Sequence, residues 1–172
     1  MKKFYYITVL ILGFQSFGQK TFEIYNFSSY PIDIAEIMTK PNSSTTYPTF
    51  SSKSYGTIPL LNPGDYYVLE NTSNTFRFPF ESPSSTPYIT TWDRANSSNS
   101  VTAFPSNQAW IQGNNQVFYS LGLYDAAGYY SGTVPVGTVT YIPSWITHPD
   151  WVADYECSNP ATNVWIYTII IY

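Results

Sequence analysis

The last nine residues, VWIYTIIIY (Val164 to Tyr172), are apolar at every position except Thr168. A strand with one wet face alternates apolar and polar side chains, so a run that does not alternate needs cover on both faces. The segment is expected as a strand packed on one side against the opposite sheet and on the other against a long loop or another subunit. The remainder of the chain then has to supply at least one further sheet.

It supplies strands of the same kind. Thr21 to Phe27 alternates Phe22 and Ile24 against Glu23 and Tyr25, and Pro31 to Met38 repeats the pattern, so the two are expected as an opening hairpin or adjacent pair. Asn62-Pro63-Gly64-Asp65 is a type II turn signal, with Pro presetting φ and Gly accepting a positive φ. It joins Tyr55–Leu61 to Tyr66–Glu70 as a hairpin or as a corner between two sheets. Phe76, Phe78 and Phe80 alternate with Arg77 and predict a half-buried strand over 75–80. Further strands are expected at 88–92, 116–123 and 136–142, with polar loops at 93–100 and 125–132. Residues 101–112 are ambiguous, with Trp110 and Ile111 as the buried contribution, and 143–163 lacks clean periodicity.

About nine strands and no helix result. The expected fold is all-β, a single antiparallel β-sandwich with jelly-roll and immunoglobulin-like strand orders both open.

Residues 1–18, MKKFYYITVLILGFQSFG, have a basic start, an apolar stretch and a small-x-small end. They read as a cleaved signal peptide, with 19–172 as one β-sandwich domain. The apolar stretch is too short to cross a hydrocarbon core of about 30 Å as a helix. This leader and the composition resemble those of small exported bacterial proteins, a resemblance that carries no site residues. Export to the periplasm, the cell surface or the medium is expected.

Without Lys2 and Lys3 the chain keeps five bases against eleven acids. That balance disfavours nucleic acid, because no basic cluster is left to neutralise phosphates. Cys157 is the only cysteine, so no disulfide forms within the chain, and it is expected as a buried apolar side chain.

Aromatic residues make up 19% of the chain against 10% charged residues, a balance that suits packed or sugar-facing surfaces. Trp92, Trp145 and Trp151 lie at strand ends or in the aperiodic segment and are the candidates for an exposed aromatic patch, with Trp110 and Trp165 assigned to the core. Tyr129 and Tyr130, with Asp93 and Asp125 as acceptors, would complete a ligand site. The second candidate surface is the C-terminal strand, where Val164, Trp165, Tyr167, Ile169, Ile171 and Tyr172 would pair with a partner across an open edge.

His148, Asp150, Asp154 and Glu156 concentrate the remaining polar chemistry. They match no calcium-loop spacing, so calcium is only a weak expectation, and no other cofactor is expected. His148 with Cys157 or with a serine is the only nucleophile pairing on offer, and it lacks a supporting motif. Asp93, Asp125, Asp150 and Glu156 offer no spacing that favours a pair of glycosidase acids. The expectation is therefore an exported non-catalytic binding module for an envelope protein or an extracellular glycan. The alternatives are a subunit of a surface assembly joined by β-edge pairing, and a secreted hydrolase.

Overall fold

The computed structural model describes residues 19–52, 60–71, 75–81, 87–135, 141–162 and 164–172. The expected signal peptide, and residues 55–59 and 136–140 of two expected strands, lie outside them. The described chain forms two sheets packed face to face as a sandwich, not a closed barrel. The five-stranded sheet runs in the order β10 (Tyr141–Thr147), β11 (Val152–Ala161), β12 (Val164–Ile171), β1 (Gln19–Asn26) and β5 (Tyr66–Asn71). The seven-stranded sheet runs β7 (Ser100–Pro105), β6 (Thr91–Ser97), β3 (Thr49–Ser51), β2 (Ile32–Pro41), β8 (Gln116–Asp125) and β9 (Gly128–Thr133), with β4 (Leu60–Leu61) also on β2.

The described residues thus hold twelve strands rather than about nine, and β1 pairs with β12 in parallel, so the sheet is mixed rather than antiparallel throughout. The expected opening hairpin does not form: β1 lies in one sheet and β2 in the other. The turn at 62–65 is the corner between sheets, since β4 pairs with β2 while β5 pairs with β1. Gly64 takes the positive φ, +89°, that the turn requires.

Three local readings are corrected. Residues 75–80 are not a strand but a 3₁₀ turn (Thr75–Arg77) followed by a bend, which buries Phe78 and Phe80 and leaves Phe76 63% exposed. The expected loops at 93–100 and 125–132 are the tight hairpins β6–β7 and β8–β9. A short helix, α1 (Ser106–Gln112), occupies the ambiguous stretch; it buries Ala109, half-buries Trp110 and leaves Ile111 exposed.

The core is built on rings. Phe118 lies 4.8 Å from Phe22, 5.9 Å from Tyr155 and 6.0 Å from Tyr167, centroid to centroid, joining residues from both sheets. Cys157 is buried on β11 and burial pushes its thiol pKa up. Lys20, inward on β1, is buried and donates from Nζ to the Gln116 carbonyl at 2.8 Å. Among the described residues β9 pairs only with residues 120–125 of β8, and Lys20 supplies a donor to the start of β8 from across the sandwich.

Candidate functional site

The tryptophans expected to form an exposed patch are structural. Trp92 is 1% exposed and packs edge-on against Phe80, and Trp151 is buried. Trp145 is half-buried in the seam between the sheets: its indole covers Gly132, where an added Cβ would come within 2.8 Å of the ring, and its Nε1 donates to the Thr133 carbonyl at 3.0 Å.

Three of the expected site residues do converge, with His148, where the β8–β9 turn meets the start of β11. The Asp125 carboxylate accepts Trp151 Nε1 at 2.8 Å and the turn amides of Ala127 and Gly128 at 2.8 and 3.1 Å. His148 stacks on Trp151, and Tyr130 meets both rings edge-on. His148 Nδ1 accepts the Asp150 amide at 3.1 Å, which leaves Nε2 to face Asp125 Oδ2 at 3.6 Å. Burial alone would raise the Asp125 pKa, but the Trp151 and backbone donors, with the neighbouring His148, outweigh it and hold the carboxyl below its usual range.

Among the described residues this cluster does not bring Cys157 to His148. Cys157 lies six residues beyond Trp151 along an extended strand, about 20 Å away. Of the glycosidase acids, Asp125 and Asp150 both flank His148, while Asp93 lies on the seven-stranded sheet and Glu156 on the five-stranded sheet. Among the described residues no three His, Cys, Asp or Glu side chains are grouped so as to hold a metal ion. No described helix is long and apolar enough to cross a membrane.

The C-terminal strand is not an edge. β12 is the middle strand of its sheet, with β11 on one side and β1 on the other, so the backbone pairing expected of Val164, Trp165, Tyr167, Ile169, Ile171 and Tyr172 has no free edge to use. Tyr167, Ile169 and Ile171 point into the core with Trp165 partly buried beside them, and Tyr172 pairs its backbone with Val152.

The other face of β12 is a different matter. Val164, Ile166 and Ile170 point away from the core and are only half-buried. Register places Ile170 beside Tyr25 and Tyr25 beside Tyr66. The Tyr25 ring lies near-parallel to Phe27 at 6.0 Å and to Tyr66 at 5.9 Å. Phe27 and Tyr66 are 62% and 65% exposed. Glu23, Glu70, Asp154 and Glu156 occupy the same outer face, and Glu23 is held by the hydroxyls of Tyr25 and Thr168 at 3.0 and 2.8 Å. Among the described strand residues of this sheet the only base is Lys20, which points inward. The sequence reading missed Tyr25, Phe27 and Tyr66, although the second apolar face of Val164–Tyr172 was the signal for them.

Of the expected ligand residues, Tyr129 and Asp93 lie on the outer face of the seven-stranded sheet. Tyr129 is 46% exposed with Tyr124 beside it, at a centroid distance of 5.1 Å. No family model matches the chain, and neither a curated protein nor a solved structure matches it.

Proposed function

We propose that this is an exported, non-catalytic binding module that docks an envelope protein through the outer face of its five-stranded sheet. The observation that carries the reading is the open row Phe27, Tyr25, Tyr66 and Ile170. Central strands with aliphatic and aromatic side chains on both faces are ordinarily covered on both. A contiguous apolar face of this kind, rimmed by polar groups, is characteristic of interaction surfaces. The same face carries Glu23, Glu70, Asp154 and Glu156 with no outward base among the described strand residues, which selects a partner that brings Lys or Arg. The leader segment supports export, and the β-edge alternative lacks a free C-terminal edge.

A photoreactive phenylalanine analogue placed at position 66, and separately at Val101 on the opposite sheet, tests this in the native envelope. A single stoichiometric protein adduct from position 66, absent from position 101, is expected. Binding of that purified protein should weaken about 5–30-fold with Tyr66→Ala, as for an aromatic anchor, and should weaken further with salt. Absence of an adduct, equal labelling from position 101, or an adduct with a second copy of this chain would overturn the proposal.

A further inference from the structure

We propose that the outer face of the seven-stranded sheet carries a second, separate site, which takes a neutral hexopyranose unit of an extracellular polysaccharide against the Tyr129 ring, with Glu36 accepting its hydroxyls. This goes beyond the docking reading and stands on different residues.

Gly122 on β8 pairs with Ser131 on β9 and with Glu36 on β2. The Tyr129 ring lies over Gly122, where an added Cβ would stand 2.5 Å from its hydroxyl oxygen and 2.7 to 2.9 Å from ring carbons. Only a residue without a side chain lets the ring settle there. The Tyr129 hydroxyl donates to Glu36 Oε2 at 3.3 Å, and Ser131 bonds the same phenol. Ser51 donates to the other carboxylate oxygen of Glu36. Both the ring and the acceptor are therefore fixed before any ligand arrives, which lowers the ordering cost of binding.

The chemistry then selects the ligand. A pyranose presents C–H groups on one face and hydroxyls around its rim, which matches an exposed ring face with fixed oxygens at its border. Tyr124 extends the apolar floor at a tilted 56°, and Asp93 lies on the same sheet face in register with Ser51. Two rings among several polar groups make a small, mixed surface, unlike the aliphatic and aromatic row on the opposite sheet. A neutral sugar fits it best because the Glu36 carboxylate at the border of the ring would repel an acidic one.

Affinity electrophoresis against soluble laminarin, xyloglucan, galactomannan, mannan and amylopectin tests the site, with the thermal midpoint of each variant as a check of folding. At least one polysaccharide should retard the wild type. Tyr129→Ala and Glu36→Gln should each weaken that retardation tenfold or more. Tyr66→Ala, on the opposite face, should leave it unchanged. No retardation of the wild type by any of the five overturns the inference and leaves the crosslink from position 66 to stand or fall independently. Loss with Tyr66→Ala but not with Tyr129→Ala also overturns it, and would make the five-stranded face the sugar reader. Should Tyr129→Ala unfold the chain, Gly122→Ala, which displaces the ring, must abolish binding for the inference to survive.

Discussion

Lys20 should make the protein more stable as the solution becomes more alkaline, against the usual trend. Its ammonium is buried in the sandwich with the Gln116 carbonyl at 2.8 Å as its hydrogen-bond partner, and burial lowers its pKa from 10.5 to about 8. In the unfolded chain the same group keeps its proton up to about 10.5. Between these values the unfolded state binds more protons than the folded state, so raising the pH favours folding. At about 1.4 kcal/mol per pH unit, the window is worth about 3 kcal/mol in total. The perturbation is Lys20→Met, which keeps most of the length of the side chain and removes the titrating group. Urea unfolding of both proteins from pH 7 to 10.5 gives the stability of wild type relative to variant. That difference should rise by about 3 kcal/mol across the range, with its midpoint near pH 9. Burial raises the phenol pKa values of Tyr67, Tyr155 and Tyr167, which destabilises the folded state above about pH 10, but both proteins carry these groups and the subtraction cancels them. A difference that stays flat within about 0.5 kcal/mol would refute the reasoning, because it would mean that the ammonium is as well solvated in the fold as outside it.

Two further outcomes follow from contacts around the β8–β9 hairpin. Asp125→Asn sets an amide where the carboxylate receives three N–H donors, and should cost about 1–3 kcal/mol at pH 7 in urea unfolding. Because the folded carboxyl pKa is depressed, its stabilisation is present above the unfolded value of about 3.9 and is lost as pH falls through the folded value, so wild type and variant should converge in acid below that. A gap unchanged down to pH 2.5 would refute the charge-based account. Gly132→Ala places a Cβ within 2.8 Å of the Trp145 indole and should break its bond to Thr133, at a cost of about 1–3 kcal/mol. The thermal midpoint should drop and the near-ultraviolet circular dichroism should change; a variant identical to wild type in both would show that Trp145 is not wedged there.

How much of this was legible depends on whether a segment puts a contrast in the sequence. β1, β2 and β8 carry buried aliphatic and aromatic side chains against more exposed ones, and their positions were readable. The far end of the β6–β7 hairpin has no such contrast: Ala95 to Ser97 and most of β7 are polar or exposed on both faces, so backbone pairing alone makes them strands, and 93–100 reads as loop while 101–105 reads as ambiguous. Phe76, Phe78 and Phe80 mislead in the opposite direction. Their spacing imitates a strand, but the chain bends there, and only two of the three rings reach the core. Tryptophan is ambiguous by nature, since one large ring with one donor suits an exposed platform or a wedge beside a loop. Trp92 and Trp151 turned out to be wedges because their neighbours, Phe80 in one case and His148 with Tyr130 in the other, are rings that leave matching gaps.

Val164–Tyr172 shows where such reading stops. Its double-faced apolarity states correctly that two surfaces need cover, but a sequence names neither of them. The fold accounts for one: Tyr167, Ile169 and Ile171 enter the core formed with the seven-stranded sheet. It leaves Val164, Ile166 and Ile170 half-buried on the outer face, Ile170 in register with Tyr25 and Tyr66, on a sheet whose outer charges are all of one sign among the described residues. A strand selected only for folding would carry polar groups there, as Thr168 does, because an outward Ile gains nothing from water. Ile170, outward on the middle strand and in register with Tyr25 and Tyr66, with Phe27 stacked on Tyr25, therefore points to contact made after folding, and the crosslink from position 66 addresses the exposed end of that row.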